Sequence, residues 1–359
     1  GLPGAGWSLK VSIKMIEVNK MKIIIPGGSG QVGTMLARAL HRQGHQVVVL
    51  TRRPVRAPWR TLFWDGLTLG PWVEVLDGAD AVINLVGRSV NCRYNAANRR
   101  EILESRVQST RLIGQAIQHV PRPPHTWLQA STATIYAHRF DAPNDEMNGI
   151  VGGDMADAPA SWRFSVDVAQ AWERALDEAD TPQTRKVALR SAMIMSPDSG
   201  GVFATLSGLA RAGLGGRAGD GRQYVSWIHE EDFVRAVIWL LEKRAFSGVV
   251  NLAAPNPLPQ VEFMGALRRA WGAWFGLPAG RRLLEFGAFF LRTETELILK
   301  SRRVIPGRLL EAGFSFNYPT WPAAASDLVH AWRYRSGRLG QTDIFIGTIS
   351  YKAGNPGKC

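Results

Sequence analysis

The chain of 359 residues is longer than one ordinary domain, and with 45% hydrophobic and 20% charged residues it has the composition of a globular protein, not of a disordered or fibrous one. Its longest apolar candidate for a membrane span, residues 283–291, is interrupted by Glu285 and falls short of the roughly 20 residues required, so no membrane partner is expected. A net charge of +13 raises the question of nucleic acid, but the arginines are scattered in short runs such as Arg52-Arg53 and Arg99-Arg100, which reads as general surface charge.

Residues 1–20 have no continuous apolar stretch, because Lys10, Lys14 and Glu17 break it, and they read as an N-terminal extension ahead of Met21, not as a secretory signal. Two cysteines, Cys92 and Cys359, offer no disulfide framework and fit a reducing, cytoplasmic setting. Strands are expected over residues 22–25, 46–50, 61–64, 81–86, 126–131 and 186–194. Helical patterns lie between them. In the clearest, residues 99–120, Ile102, Leu103, Arg106, Val107, Thr110, Ile113 and Ile117 share one face, and Pro121 ends the run. This alternation predicts an α/β fold built on a doubly wound parallel sheet. The second half is less regular: a glycine-rich loop over residues 208–233, a helix near 232–244, one more strand within 248–255, then helices to about 327. We therefore expect a dinucleotide domain over residues 21–195, to which 228–255 return, an interleaved smaller α/β lobe over 196–330, and a tail from 331 to 359.

The first strand runs into "PGGSGQVG", where Gly27, Gly30 and Gly33, or equally Gly28, Gly30 and Gly33, precede a helix. Glycines at this spacing make a tight turn and let backbone N–H groups approach a pyrophosphate at the positive end of the helix. An acidic residue at the end of the second strand would bond the ribose hydroxyl of NAD. Thr51, Arg52 and Arg53 stand there instead, and a guanidinium suits the 2′-phosphate of NADP(H).

With "GGSGQVG", "LTRRP", "DAVINLVG", "ESRVQSTRL", "GLGGRAGDGRQYVSWIHEED", "GVVNLAAPNP" and "VIPGRLLEAGFSF", the chain from Met21 to about Val329 resembles atypical extended short-chain dehydrogenase/reductases of the "epimerase family". Some relatives in that group are labelled cell-division-inhibitor-like, and they share a C-terminal domain of unknown function. The resemblance implies a Rossmann domain that binds NADP(H), with a smaller C-terminal lobe. It places Gly27, Gly30, Gln31, Val32 and Gly33 at the pyrophosphate and Thr51 and Arg52 at the adenosine phosphate. Leu85, Val86, Gly87, Glu101, Arg106, Ser131 and Ile194 line the remainder of the dinucleotide. Arg222, Gln223 and Trp227 fall on the loop that faces the substrate in extended relatives.

Active members of the wider superfamily use a Tyr and, four residues later, a Lys, with a Ser or Thr at a strand end. Here "QASTATIYAH" puts Thr132 in the hydroxyl role, but the following helix reads "FSVDVAQAWE", with Ser165 and Ala169 where Tyr and Lys belong. No lysine lies between Lys22 and Lys186, and none of the six tyrosines has a lysine four residues on. Tyr136 and His138 are the candidate substitutes. His229, followed by Glu230, Glu231 and Asp232, suggests a metal cluster at first sight, yet acids at a helix start complement its dipole and no paired His or Cys spacing supports a metal. Two expectations follow: an NADP(H)-dependent oxidoreductase or epimerase of a small polar, sugar-like metabolite, or a non-catalytic protein whose binding of a protein partner responds to NADP(H). A homodimer is compatible with either.

Overall fold

The computed structural model of the chain describes residues 20–152, 159–279 and 300–342, so the expectations for residues 1–19 and 343–359 lie outside the described part. Seven strands form one parallel sheet: β1 (Lys22–Pro26), β2 (Gln46–Thr51), β3 (Arg60–Phe63), β4 (Ala81–Asn84), β5 (Thr126–Thr132), β6 (Arg185–Ser191) and, later in the chain, β10 (Gly248–Leu252). Their spatial order is β10-β6-β5-β4-β1-β2-β3. The direction of winding reverses between β1 and β4, and a ligand crevice is expected outside the carboxyl ends of the strands there.

Side chains alternate across the sheet, so successive residues feed different cores. Ile23, Ile25, Val47 and Val49 pack with α1 (Gln31–Arg42) and α5 (Glu230–Glu242), whereas Ile24, Val48 and Leu50 pack with α2 (Ala96–His119) and with Leu176 of α3 (Ala160–Asp177). Helices thus cover both faces in a Rossmann-like α/β fold. Asn95 caps α2 by accepting the Asn98 N–H at 2.8 Å, and the chain leaves the helix before Pro121, as the sequence predicts.

Two strand expectations change at their ends. Residues 186–194 are not one strand: after Ser191 the chain changes partners, Ala192 N donating to Leu252 O, and β7 (Met193–Met195) pairs instead with β9 (Trp227–His229). The apolar run 81–86 stops pairing as a strand at Asn84, because Leu85 N bonds Pro26 O and the Asn84 side chain takes the Val86 N–H at 3.1 Å.

The second lobe holds β8 (Tyr224–Val225) antiparallel to β11 (Leu258–Pro259), with α4 (Val202–Arg211), α6 (Gln260–Trp271) and α8 (Trp321–Thr342) around a core of Phe203, Trp227, Phe263 and Trp321. Trp321 stacks on Phe263 at 4.0 Å and meets Trp227 edge-on at 5.0 Å. α7 (Gly307–Glu311) sets Leu309 into the sheet core. A tail boundary at residue 331 falls inside α8, which continues to Thr342. Among the described residues no helix is long and apolar enough to cross a membrane.

The start of α5 joins the two lobes. Buried Asp232 accepts the N–H groups of Asn317 and Tyr318, both at 2.8 Å, and Arg235 at 2.9 Å. His229 caps the helix: its Nδ1 accepts the Glu231 N–H at 3.1 Å, its Nε2 faces Asp327 Oδ2 at 3.2 Å, and Tyr318 stacks on the ring at 3.8 Å. Burial pushes the His229 imidazole below its ordinary value of 6.5, outweighing the nearby Asp327, Glu230 and Asp232. A histidine whose folded value is depressed favours folding above its unfolded value, and that contribution is lost as pH falls through the folded value. Stability measured by denaturant titration is therefore expected to decline as pH drops below about 6.5. His229→Asn, which keeps a capping side chain, should flatten that decline; an unchanged slope would remove His229 as its source.

Candidate functional site

Two close backbone approaches shape the glycine turn. Gly27 has φ +75°, and a Cβ there would stand 2.9 Å from the Val86 nitrogen at the end of β4. A Cβ on Gly33 would fall inside the Gly28 backbone, which holds α1 tightly against the turn. Gly30 is the N-cap of α1, with no side-chain cap and no acidic residue in the first turn. The positive end of α1 thus meets no acidic residue of its own first turn and lies at the switch between β1 and β4.

At the end of β2, buried Thr51 donates to Ser29 Oγ at 2.9 Å and accepts the Arg53 N–H at 3.2 Å, which locks the turn to the strand end. Arg52 and Arg53 are exposed, and neither is paired with a carboxylate among the described residues. Beyond β4, Gly87 leaves room for the Arg106 guanidinium: a Cβ there would lie 3.1 Å from its Cζ. Arg106 packs over the Trp172 ring at 5.0 Å and donates to Ile102 O at 2.9 Å, and no carboxylate pairs with it among the described residues. Burial pushes Arg106 down to about 10. A half-buried guanidinium near the end of β4, unpaired with a carboxylate among the described residues, suits a phosphate.

The remaining dinucleotide expectations fare unevenly. Val32, Leu85 and Ile194 are half-buried and pack against the core shared by the sheet, α1 and α5. The Gln31 amide lies against Gly201 of the second lobe. Glu101 is an outward-facing residue of α2 and pairs with Arg88, which also donates to Asn98 Oδ1 at 2.7 Å; its carboxylate buttresses the loop after β4. Ser131 turns the other way: its hydroxyl donates to Glu173 Oε1 at 2.5 Å. That engagement corrects its assignment to the cofactor.

Thr132, half-buried, ends β5 and caps the short 3-10 turn Ala133–Ile135, accepting the Thr134 N–H at 3.2 Å, which leaves its own O–H as a donor. Tyr136 is corrected. It is 2% exposed, its hydroxyl donates to Asn251 Oδ1 at 3.0 Å and accepts from Arg190 at 2.9 Å, and burial raises it above its ordinary value. A phenol held this way in the core cannot reach a substrate in the crevice. Ala169 is fully buried against Ala133, Ile135 and Tyr136, so the face of α3 expected to carry a catalytic pair is packing surface.

Among the substrate expectations, Arg222 is exposed and takes Asp220 Oδ1 through its own N–H at 3.0 Å. Gln223 is buried and donates to Ala218 O at 3.0 Å, while Trp227 is wholly buried against Trp321. These two hold the loop together and do not line the crevice, which corrects that part of the expectation. Sequence reasoning did not find Arg190, Asn251, Lys300 or Arg302 as partners of the β5 end. Lone polar residues in apolar strands, such as Arg190 in "VALRSAM" and Asn251 in "GVVNLAAP", were the available signal.

The uncapped helix start, the close glycine contacts and Arg106 fit a dinucleotide, and together with the sheet order they define a nucleotide-binding α/β protein. Residues 23–253 match the NAD dependent epimerase/dehydratase family and residues 283–328 a domain of unknown function, DUF1731. The chain belongs to this NAD dependent epimerase/dehydratase family. It is 31% identical over 313 residues to the bovine epimerase family protein SDR39U1, covering 86% of this chain and 100% of that one. An epimerase family protein of Staphylococcus saprophyticus is 29% identical over 311 residues, covering 86% and 99%. The crystal structure of human SDR39U1 (isoform 2) with NADPH superposes with a TM-score of 0.75 at 28% identity, over 86% of this chain and 99% of that one. A nucleoside-diphosphate sugar epimerase from Corynebacterium glutamicum, 24% identical with a TM-score of 0.66 over 90% and 67%, shares the fold.

Tyr136→Phe tests the core assignment. It strips the hydroxyl from between Arg190 and Asn251 and should lower unfolding stability by about 1–3 kcal/mol, the cost of unmet buried groups. Denaturation curves with no shift would return the phenol to the list of functional candidates.

Proposed function

We propose that the chain is an NADP(H)-dependent oxidoreductase or epimerase acting on a small polar metabolite, with acid–base groups other than a Tyr–Lys pair. The carrying observation is the β2 end: Arg52 and Arg53 stand exposed, without carboxylate partners among the described residues, beside Thr51 and Ser29, where an acid would otherwise meet an unphosphorylated ribose. The NADPH in the human SDR39U1 structure supports the same choice. Gly27, Gly30 and Gly33 bring the turn to the pyrophosphate, α1 directs its positive end there, and Arg106 supplies a second positive group. When bound, the nicotinamide supplies hydride transfer. Thr132 at the end of β5 donates its hydroxyl proton in a hydrogen bond to the substrate oxygen and so orients the reacting carbon.

A second reading has its own support. Ser165 and the buried Ala169 stand where a Tyr and a Lys would act, and a protein that only senses NADP(H) needs neither. The two readings separate on turnover.

Cofactor choice is tested by titrating the protein with NADPH and NADH and following tryptophan fluorescence. The double substitution Arg52→Ala, Arg53→Ala should weaken NADPH by about tenfold or more, the scale of charge-assisted bonds, and leave NADH almost unchanged. Equal weakening of both would refute the 2′-phosphate role. For chemistry, NADPH-loaded protein is offered a panel of small carbonyl metabolites. Consumption that Thr132→Ala slows without changing NADPH affinity supports the enzyme, and retention of NADPH against the whole panel supports the sensor.

A further inference from the structure

The second lobe exposes four large apolar side chains on two adjoining loops. Trp274 is 98% exposed, and Phe275 and Leu277 on the same loop after α6, with Leu214 on the glycine-rich loop after α4, are each more than half exposed. The two loops are tied by main-chain bonds: Leu277 N donates to Gly213 O at 2.7 Å, Ala279 N to Arg217 O at 2.8 Å, and Gly219 N to Ala279 O at 2.9 Å. A Cβ on Gly216 would fall 2.3 Å from Leu277 O, so the two backbones lie directly against each other. At the other end, Gly272 ends α6 in the left-handed region at φ +76°, and Ala273 N closes on Arg268 O at 2.9 Å. A backbone held at both ends therefore presents the Trp274 ring to solvent. An apolar group of that size, fixed outside any core beside three others, marks a surface that a partner covers.

The polar groups around the patch are basic. Arg211 and Arg333 lie over the Trp271 ring at 5.1 and 5.3 Å, Arg268 donates to Gly215 O, and Arg217 and Arg269 are exposed. None of these five pairs with a carboxylate among the described residues, and residues 211–222 and 260–279 contain Asp220 and Glu262 as their only acids. A second copy of the chain would bring these like charges together, which disfavours it as the occupant. Single-stranded nucleic acid would stack on the two aromatic rings and pair with the arginines, but it has no contact to offer Leu214 and Leu277. An anionic lipid surface meets both sets at once: apolar side chains enter the boundary between headgroups and acyl chains, and guanidinium groups meet lipid phosphates. The sequence excludes a spanning helix, and docking on a surface needs none.

We propose that residues 272–279, with Leu214 beside them, dock the protein on an anionic lipid surface. Trp274, Phe275 and Leu277 enter the headgroup region, where an indole ring is well placed, and Arg217, Arg268 and Arg269 hold phosphates around them. The contact depends neither on the dinucleotide nor on turnover. It is reversible, because a few apolar side chains and a few charges fall far short of a spanning helix, and it weakens as salt screens the arginines.

The test mixes the full chain with vesicles of phosphatidylcholine alone, or of phosphatidylcholine with an equal part of phosphatidylglycerol, and measures the bound fraction by sedimentation. The expected result is binding to the anionic vesicles that falls as salt rises, with much weaker binding to the neutral ones. Trp274→Ala combined with Phe275→Ala should weaken binding to anionic vesicles by about tenfold or more, the scale of two aromatic side chains removed from water. Arg217→Gln combined with Arg269→Gln should weaken it by about tenfold at low salt and leave binding to neutral vesicles unchanged. All four positions lie at the surface, so both variants should keep the wild-type unfolding curve, which separates lost docking from lost folding. Absence of binding to anionic vesicles, or binding equal in wild type and both variants, overturns the proposal. A dimer in sedimentation velocity, or a complex with oligo(dT), that the aromatic variant abolishes while vesicles are ignored would also overturn it and assign the patch to that partner instead.

Discussion

The Glu173 carboxylate and the Arg190 guanidinium meet almost out of water, with side chains only 12% and 8% exposed, and the ends of three strands are organised by that pair. Taking both charges from water costs several kcal/mol per ion, so such a pair persists only where its remaining donors and acceptors are filled. Here they are. Arg190 reaches Glu173 through Nε at 2.8 Å and Nη2 at 2.7 Å, Ser131 adds a third bond to the carboxylate, and the last arm of the guanidinium goes to Tyr136. Burial alone would weaken the guanidinium charge, yet the carboxylate outweighs it and holds Arg190 above its ordinary value. The chain of bonds continues through Asn251, whose N–H goes to Glu146 Oε1 and whose side chain reaches Ile305 O. β5, β6, β10, α3 and the approach to α7 are therefore tied to one another beneath the crevice.

That arrangement separates two properties that short-chain dehydrogenase sequences usually present together. Holding a dinucleotide requires glycine contacts, an uncapped helix start and positive groups at two strand ends, and these lie around β1, β2 and β4. Chemistry requires a proton donor at the ends of β5 and α3. In this chain α3 spends its inward face on packing through Val166, Ala169 and Trp172, and on the Glu173 ion pair. The tyrosine that sequence reasoning placed in the pocket serves the same network. What remains at the crevice is Thr132, at the end of β5.

The parallel sheet and its order of elements were legible because each strand is a short buried run and each early helix repeats on one face; these are local signals. The glycine turn was legible for a similar reason, since strand, turn and helix are contiguous. Strand ends were not, because a neighbour decides them: Asn84 ends its strand by bonding Val86, and Ala192 hands the chain from β6 to β7 through Leu252. The β5 end was misread at Ser131 and Tyr136 because the partners that claim them, Glu173, Arg190 and Asn251, stand 42, 54 and 115 residues away. Periodicity carries no information at that range. Trp227 and Gln223 show the same limit, since a loop residue that packs inward and one that faces a ligand look alike in sequence.

The two lobes are joined unequally across the crevice, and this bears on how it can open. Beneath β5 and at the start of α5 the joints are buried: Asn251 to Ile305, Asp232 to Asn317 and Tyr318, and Lys300 to Thr134. Each would leave a buried polar group unmet if it parted, at a cost of about 1–3 kcal/mol. On the α1 side the contacts are wetter. Asp198 pairs with Arg38 of α1 and with Arg335 of α8, Arg335 also reaches Glu230, and these arginine side chains are 40% exposed. Exposed pairs of this kind contribute between zero and about 1 kcal/mol. Gln31 and Gly201 touch on this same side, next to the glycine turn. Parting the lobes there costs least, so the dinucleotide end of the crevice is its compliant edge and the Thr132 end its rigid one. A substrate oxygen held by Thr132 would then meet a fixed donor, while the turn retains the freedom to admit and release the larger ligand.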